Sequence, residues 1–232
     1  MPEIIDKEFG HIPVRRISRS RSIRFSVATS GRLTASAPKL TPLFIIKQVL
    51  ESSRPALRKL LDNPRVRTLY EDNQPIGTTH KLAVVATQMI KKPEVQTTRN
   101  TLIVKLPPGN ALDAPKVQQL IRDEVTKILR KEAKQYLPGR LEEFAKQWGF
   151  HYERVRFSHS SGRWGSCSST GTISLNIALM KLPQSLSDYV LIHELCHTRH
   201  MNHSAAFWEE VERINPHYRL HRRQIKRFSP TV

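Results

Sequence analysis

One stretch limits the fold before any other: residues 190–203, V-L-I-H-E-L-C-H-T-R-H-M-N-H, which carry four of the chain's ten histidines behind an apolar lead. Positions four apart on an α-helix lie on one face, so His193 and His197 can aim imidazole nitrogens at a single point. Glu194 is about 100° further round, beside that point rather than on it. H-E-x-x-H is the spacing with which a helix offers two nitrogens to zinc and a carboxylate to zinc-activated water. Val190, Leu191 and Ile192 suit such a helix to a buried position, so the chain must build a core around it.

A catalytic zinc takes a third protein ligand and keeps one position open. His200 and His203 are the nearest candidates. On a continued helix His200 would lie about 10 Å along the axis from His193, too far for both to reach one ion with bonds of about 2 Å. His203 follows Met201-Asn202, where the chain can leave the helix and fold back. The expected metal set is therefore His193, His197 and His203, with Glu194 moving the proton. The spacing His-x3-His-x5-His also matches the extended metzincin pattern, apart from a glycine there where this chain has His200. Cys167 and Cys196 are read as buried small residues, since three histidines already supply the ligands.

Composition narrows the setting. The chain has 38 basic and 20 acidic residues in 232, a formal charge of +18, which predicts attraction to polyanions such as nucleic acid or nucleotides. Arg15, Arg16, Arg19, Arg21 and Arg24 form one basic cluster, and Arg219, Arg222, Arg223, Lys226 and Arg227 a second. No apolar run approaches the roughly eighteen residues of a membrane span. With two cysteines and no secretory pattern at Met1-Pro2-Glu3-Ile4-Ile5-Asp6, a reducing cytoplasm is the expected location.

Along the chain, Ile23, Phe25 and Val27, then Leu33, Ala35 and Ala37, alternate about Ser30-Gly31 and predict a β-hairpin. Thr41-Pro42 opens a helix that Pro55 should interrupt, leaving a second short helix through Leu57, Leu60 and Leu61. Strands are expected over residues 81–88 and 101–106, separated by a polar, basic stretch at 91–100. Pro107-Pro108-Gly109-Asn110 sets a boundary between a β-rich basic region, 1–110, and a hydrolase domain, 111–232. A helix is expected over 114–132, punctuated by Pro138-Gly139, with another over 141–148 ending at Gly149. Strands follow at 152–158 and 172–177, joined by a Gly- and Ser-rich loop carrying Arg163 and Trp164. Ser185 or Ser187 should cap the histidine helix, and an amphipathic helix should follow at 205–214. No internal repeat is apparent.

Arg163-Trp164-Gly165-Ser166-Cys167, Ile173-Ser174-Leu175-Asn176, Asp188-Tyr189-Val190 leading into His193-Glu194-Leu195-Cys196-His197, and Asn202-His203-Ser204 with Phe207-Trp208 resemble, in that order, the YgjP-like metallopeptidase family. That family is related to the SprT-like and Wss1-like zinc proteases. The resemblance implies an α+β fold: a zincin-like domain, a small β-sheet packed on helices with the H-E-x-x-H helix at its active site, preceded here by a β-rich N-terminal region. It also implies Zn2+ on His193, His197 and His203, Glu194 as catalytic acid/base, and a protein or peptide substrate. Related Wss1-like and Spartan proteases act on proteins attached to DNA, with which the basic clusters are compatible.

The leading expectation is thus a zinc metallopeptidase in which Glu194 accepts a proton and passes it to the leaving amine. Arg163, His159, Tyr218 and His217 are candidates for the oxyanion, and Arg163 is placed with Glu194 as catalytic. One rival keeps the metal and hydrolyses a nucleoside triphosphate, with Arg163 and the basic clusters on its phosphates. No G-x-x-x-x-G-K-[ST] loop supports it. The other is a non-enzymatic nucleic-acid-binding protein with structural zinc, which needs a fourth ligand. Cys196 points about 60° off the histidine face and cannot supply it without breaking the helix.

Overall fold

The computed structural model describes residues 2–18, 20–27, 33–61 and 69–232, and divides into two compact units, Met1–Thr68 and Leu69–Val232. Both mix small sheets with helices, in keeping with the α+β expectation. Among the described residues no helix is long and apolar enough to cross a membrane.

The first unit comprises strands β1 (Glu3–Asp6), β2 (Gly10–Ile17), β3 (Arg24–Val27) and β4 (Leu33–Pro38), then helix α1 (Leu43–Leu61). The sheet order is β1-β2-β4-β3, and only β2 and β4 run parallel. Alternation puts Ile12 and Val14 of β2 and Leu33, Ala35 and Ala37 of β4 on one face, where Ile46, Leu50 and Leu57 of α1 cover them. The expected hairpin is β3 paired antiparallel with β4; its turn, and Arg19 of the first basic cluster, lie outside the described residues. β1 and β2 were not anticipated, because Pro13 argues against an interior strand and Arg15-Arg16 break the alternation. Pro55 does not end α1. Its ring removes one backbone bond, while Leu50 and Leu57 keep the same face buried on either side of it.

The second unit opens with β5 (Pro75–Ile76), β6 (His80–Ala86), β7 (Glu94–Thr97) and β8 (Thr101–Leu106), followed by α2 (Pro115–Trp148). This sheet repeats the first in order, direction and register. Val14 and Phe25 both stand opposite Ala35 in the first sheet; Val84 and Val95 both stand opposite Val104 in the second. A shift of 70 residues carries Val14 to Val84, Phe25 to Val95 and the Asp6–Gly10 pair to Ile76–His80, and a shift of 69 carries Ala35 to Val104. A helix follows each sheet, with buried Ile46, Leu50 and Leu57 in α1 matched by Val117, Ile121 and Ile128 in α2, each 71 residues on. The chain therefore contains an internal repeat that the sequence reading missed. Matched positions share apolar character, not residue identity.

The boundary expected after Asn110 falls between β8 and α2, inside the second unit. Leu82, Leu102 and Val104 share one core with Val117, Ile121 and Val125. Glu132 of α2 fastens the sheet's first turn by accepting hydrogen bonds from the Thr78 N–H at 2.9 Å, the Thr79 N–H at 3.2 Å and the Thr79 hydroxyl at 2.6 Å. α2 also runs straight through Pro138-Gly139, because Leu137 and Leu141 stay on its buried stripe. It ends, as expected, at Gly149 in the left-handed region with φ 67°.

The remainder carries the site. Strands β9 (Arg154–Ser158), β10 (Gly165–Cys167) and β11 (Thr172–Asn176) form a sheet ordered β10-β11-β9, with β9 parallel and β10 antiparallel to β11. β10 and β7 both fall in stretches expected to be loop. Helices α3 (Gln184–Cys196), α4 (Ala205–Ile214) and α5 (Tyr218–Gln224) complete the unit. α3 packs against α2, α4, α5, β10 and β11.

Candidate metal centre

α3 is buried on nearly every side: Leu191, Leu195 and Cys196 are fully enclosed, with Val190 and Ile192 almost so. Arg140 of α2 grips its first turns through a two-pronged ion pair with Asp188, at 3.0 and 2.8 Å. Neither serine caps it. Pro183 holds the N-cap position, and the Ser187 hydroxyl donates instead to the Leu179 carbonyl at 2.8 Å. The helix stops at Cys196 with His197 as its C-cap, earlier than the expected exit after Met201-Asn202.

That early stop brings His203 back to the helix. One nitrogen from each of His193, His197 and His203 lies within 4.8 Å of the others, and His203 Nε2 is 3.1 Å from His193 Nε2. The edge of a tetrahedron with bonds of about 2.05 Å is about 3.3 Å, so the His193–His203 pair already stands at the spacing of two ligands on one zinc ion, and the 4.8 Å bound on the set leaves His197 to close on it by a small ring movement. The donors fit as well. His197 Nδ1 donates to the His200 carbonyl at 2.9 Å, which leaves its Nε2 free to bind a cation. Burial, with His197 and His203 close by, pushes His193 down to about 3, so it is neutral and able to coordinate.

Glu194 is 5 % exposed, and its Oε2 is buried with no hydrogen-bond partner among the described residues. Burial pushes its carboxyl up to about 8, with Arg163 pulling the other way. Room for it depends on Gly165 at the start of β10: a Cβ there would stand 2.6 Å from Glu194 Oε1 and 2.7 Å from its Cγ. Gly165→Ala is therefore expected to displace the carboxylate, lowering turnover by about 10²-fold, the cost of a misplacement near 1 Å, with zinc content unchanged. Turnover equal to wild type would show that Glu194 does not need this cradle.

A further support lies outside the H-E-x-x-H segment. Glu210 of α4 takes Arg199 NH1 at 2.5 Å, and its Oε2 stands 3.1 Å from His200 Nε2, in ion-pair range though not aligned as a hydrogen bond. Arg199 also donates to the Trp148 and Gly149 carbonyls and lies 4.1 Å over the Phe150 ring. Glu210 thus holds the turn whose His200 carbonyl orients His197. Glu210→Gln should weaken zinc binding about 10-fold in competition with a chromogenic chelator, and unaltered affinity would mean the turn holds without it. His203, the exposed ligand candidate, is steadied by stacking on Trp208 at 5.4 Å and 21°, and Trp208 stacks in turn on Tyr218.

Of the other residues singled out, Arg163 is exposed near Glu194 and its carbonyl accepts from Asn176 Nδ2 at 2.9 Å. Trp164 is half-buried and packs on the core. Burial pushes Cys167 up to about 11 and Cys196 to about 12, so both stay thiols. A cavity of about 230 Å³ opens beside the histidines, lined by Trp164, Gly165, Tyr189, Val190, His193, Glu194 and Ile225. Tyr189 and Gly165 stand in the motifs that carry the family resemblance, but the sequence reading assigned neither of them a role in the site. Tyr189 precedes His193 by four residues, a spacing that puts it on the histidine face, and Gly165 stands in the loop already marked as special.

Residues 21–228 match the family model of the YgjP-like metallopeptidase domain, which places the protein among the metal-dependent peptidases. The chain belongs to the YgjP-like family. It is also similar to the crystal structure of the metallopeptidase zymogen of Pyrococcus abyssi abylysin, with 29% identity, 39% of this chain and 92% of that chain covered, and a TM-score of 0.36. No curated protein matches the sequence.

Proposed function

We propose that the protein is a zinc-dependent peptidase with a zincin-like catalytic domain, in which His193, His197 and His203 hold the metal and Glu194 is the catalytic acid/base. The observation that carries this reading is the convergence of three imidazoles beside a buried, unpartnered carboxylate. When bound, zinc polarises the reacting carbonyl and lowers the pKa of water toward about 7. Glu194, near neutrality in its buried setting, accepts a proton at Oε2 and returns it to the leaving amine. His197, held by the His200 carbonyl, and His203, stacked on Trp208, keep their rings beside His193. Arg163, exposed and close enough to Glu194 to pull its carboxyl pKa down against burial, attracts negative charge on the substrate.

A second reading has its own support. Arg163 and Arg222 flank the centre, Arg222 lying 4.5 Å over Trp208, and neither makes an ion pair with a carboxylate among the described residues. Such a rim suits phosphate oxygens, and the same metal and carboxylate would then hydrolyse a nucleoside triphosphate. Zinc-loaded wild-type protein and Glu194→Gln, assayed on a mixed peptide library and on nucleoside triphosphates, decide between them. Cleavage of peptides that Glu194→Gln abolishes supports the first reading. Hydrolysis of triphosphates alone, also lost with Glu194→Gln, replaces it with the second.

A further inference from the structure

We infer that the Tyr189 phenol donates a hydrogen bond to the substrate oxygen that gains negative charge when the reacting group is attacked, an inference that rests on the zinc-hydrolase reading above. Tyr189 stands four residues before His193 on α3, on the same helix face, with the two rings 6.0 Å apart. It shares the cavity of about 230 Å³ with His193 and Glu194, so a group seated against those two is also beside Tyr189. The ring is held. It lies between His193 and His221, 6.2 Å from the latter, and only 5 % of the residue is exposed.

The phenol oxygen is free to act. It makes no hydrogen bond within the described protein, yet it is not among the buried atoms shut away without a partner, so it remains accessible. A phenol carries its proton at neutral pH and so serves as a donor. The other candidates are placed less well. The Tyr218 oxygen already accepts from Arg219 Nε at 3.2 Å, His159 Nε2 is buried, and neither His217 nor Arg163 lines the cavity. A donor fixed before the reaction and aimed where charge develops is worth about 10²–10³ in turnover.

Tyr189→Phe removes one oxygen and keeps the packed ring. The test compares zinc-loaded wild type and Tyr189→Phe, full chain, for zinc content, thermal midpoint, kcat and KM on a cleaved peptide or triphosphate, and affinity for a phosphoramidate dipeptide, whose tetrahedral anion imitates the charged oxygen. The expected result is equal zinc content and midpoint, unchanged KM, and losses of about 10²-fold or more in both kcat and phosphoramidate affinity. If wild type turns over substrate and binds the phosphoramidate but Tyr189→Phe does the same, this inference fails and the zinc-hydrolase reading stands. If Tyr189→Phe loses zinc or unfolds at lower temperature, the residue is a packing element and the inference is again overturned. If wild type neither hydrolyses any substrate nor binds the phosphoramidate, the parent reading fails and takes this one with it.

Discussion

Glu194→Gln is expected to keep a full equivalent of zinc and to lose about 10²–10⁴-fold in turnover, the range over which a positioned acid/base acts. The amide has the same shape, so the Gly165 cradle still receives it, but it cannot take a proton. The same substitution carries a second signature in the metal-free protein. Glu194 is raised from 4.5 to about 8 by burial, so the folded state resists its ionisation. Its unfolded counterpart ionises freely above about pH 4.5. Stability of the metal-free wild type should therefore be fully present below about pH 4.5 and decline as the pH rises through about 8, by on the order of a few kcal/mol. Metal-free Glu194→Gln lacks that decline. Thermal midpoints measured from pH 4.5 to 8 should be alike at the acid end and higher for Glu194→Gln at the basic end, and parallel curves would show that the carboxylate is better solvated than its setting implies.

Removing the metal should affect fold and activity together. Three imidazoles whose nitrogens face one another at 3.1 Å and within 4.8 Å have no mutual hydrogen-bonding arrangement that satisfies all of them, and a cation resolves this. A ligand bound only by the folded state stabilises it by about 4 kcal/mol when present at 1,000 times its Kd, so a chelator should lower the thermal midpoint as well as abolish activity. His203→Ala should weaken zinc binding by more than the about 10–100-fold that follows loss of a supporting hydrogen bond. Excess zinc should restore the midpoint of stripped wild type but not of His203→Ala at the same concentration. Recovery of both to the same midpoint would remove His203 from the ligand set.

The periodic elements were legible and the topological ones were not. Ala205–Ile214 was readable to its ends, because Phe207 and Val211 share a face; the Ser204 hydroxyl that accepts from the Phe207 N–H was found only in the fold. Proline misled at two points. Pro55 and Pro138 each cost a local hydrogen bond, yet burial on either side outweighs that cost. β7 and β10 are short, and they form because a neighbour, β8 or β11, supplies the hydrogen bonds. Local sequence carries little trace of that. The repeat of the first sheet in the second escaped notice for a similar reason: register conserves inward alternation, which many residues satisfy.

At the centre, spacing alone singled out His193, Glu194, His197 and His203, and the chain brings the three histidine nitrogens together. Spacing could not find Glu210, which lies on a different helix and acts through the turn after His197. Gly165 is required only because Glu194 approaches it from another element. Such dependence between elements appears only once the chain is folded.

X-ray absorption at the zinc edge, on purified wild-type and His203→Ala protein with metal content measured on the same samples, tests the central claim most directly. One zinc per wild-type chain with three imidazole ligands and no sulfur, reduced or absent in His203→Ala, is the predicted result. A sulfur ligand from Cys167 or Cys196, or an unchanged zinc shell in His203→Ala, would contradict it.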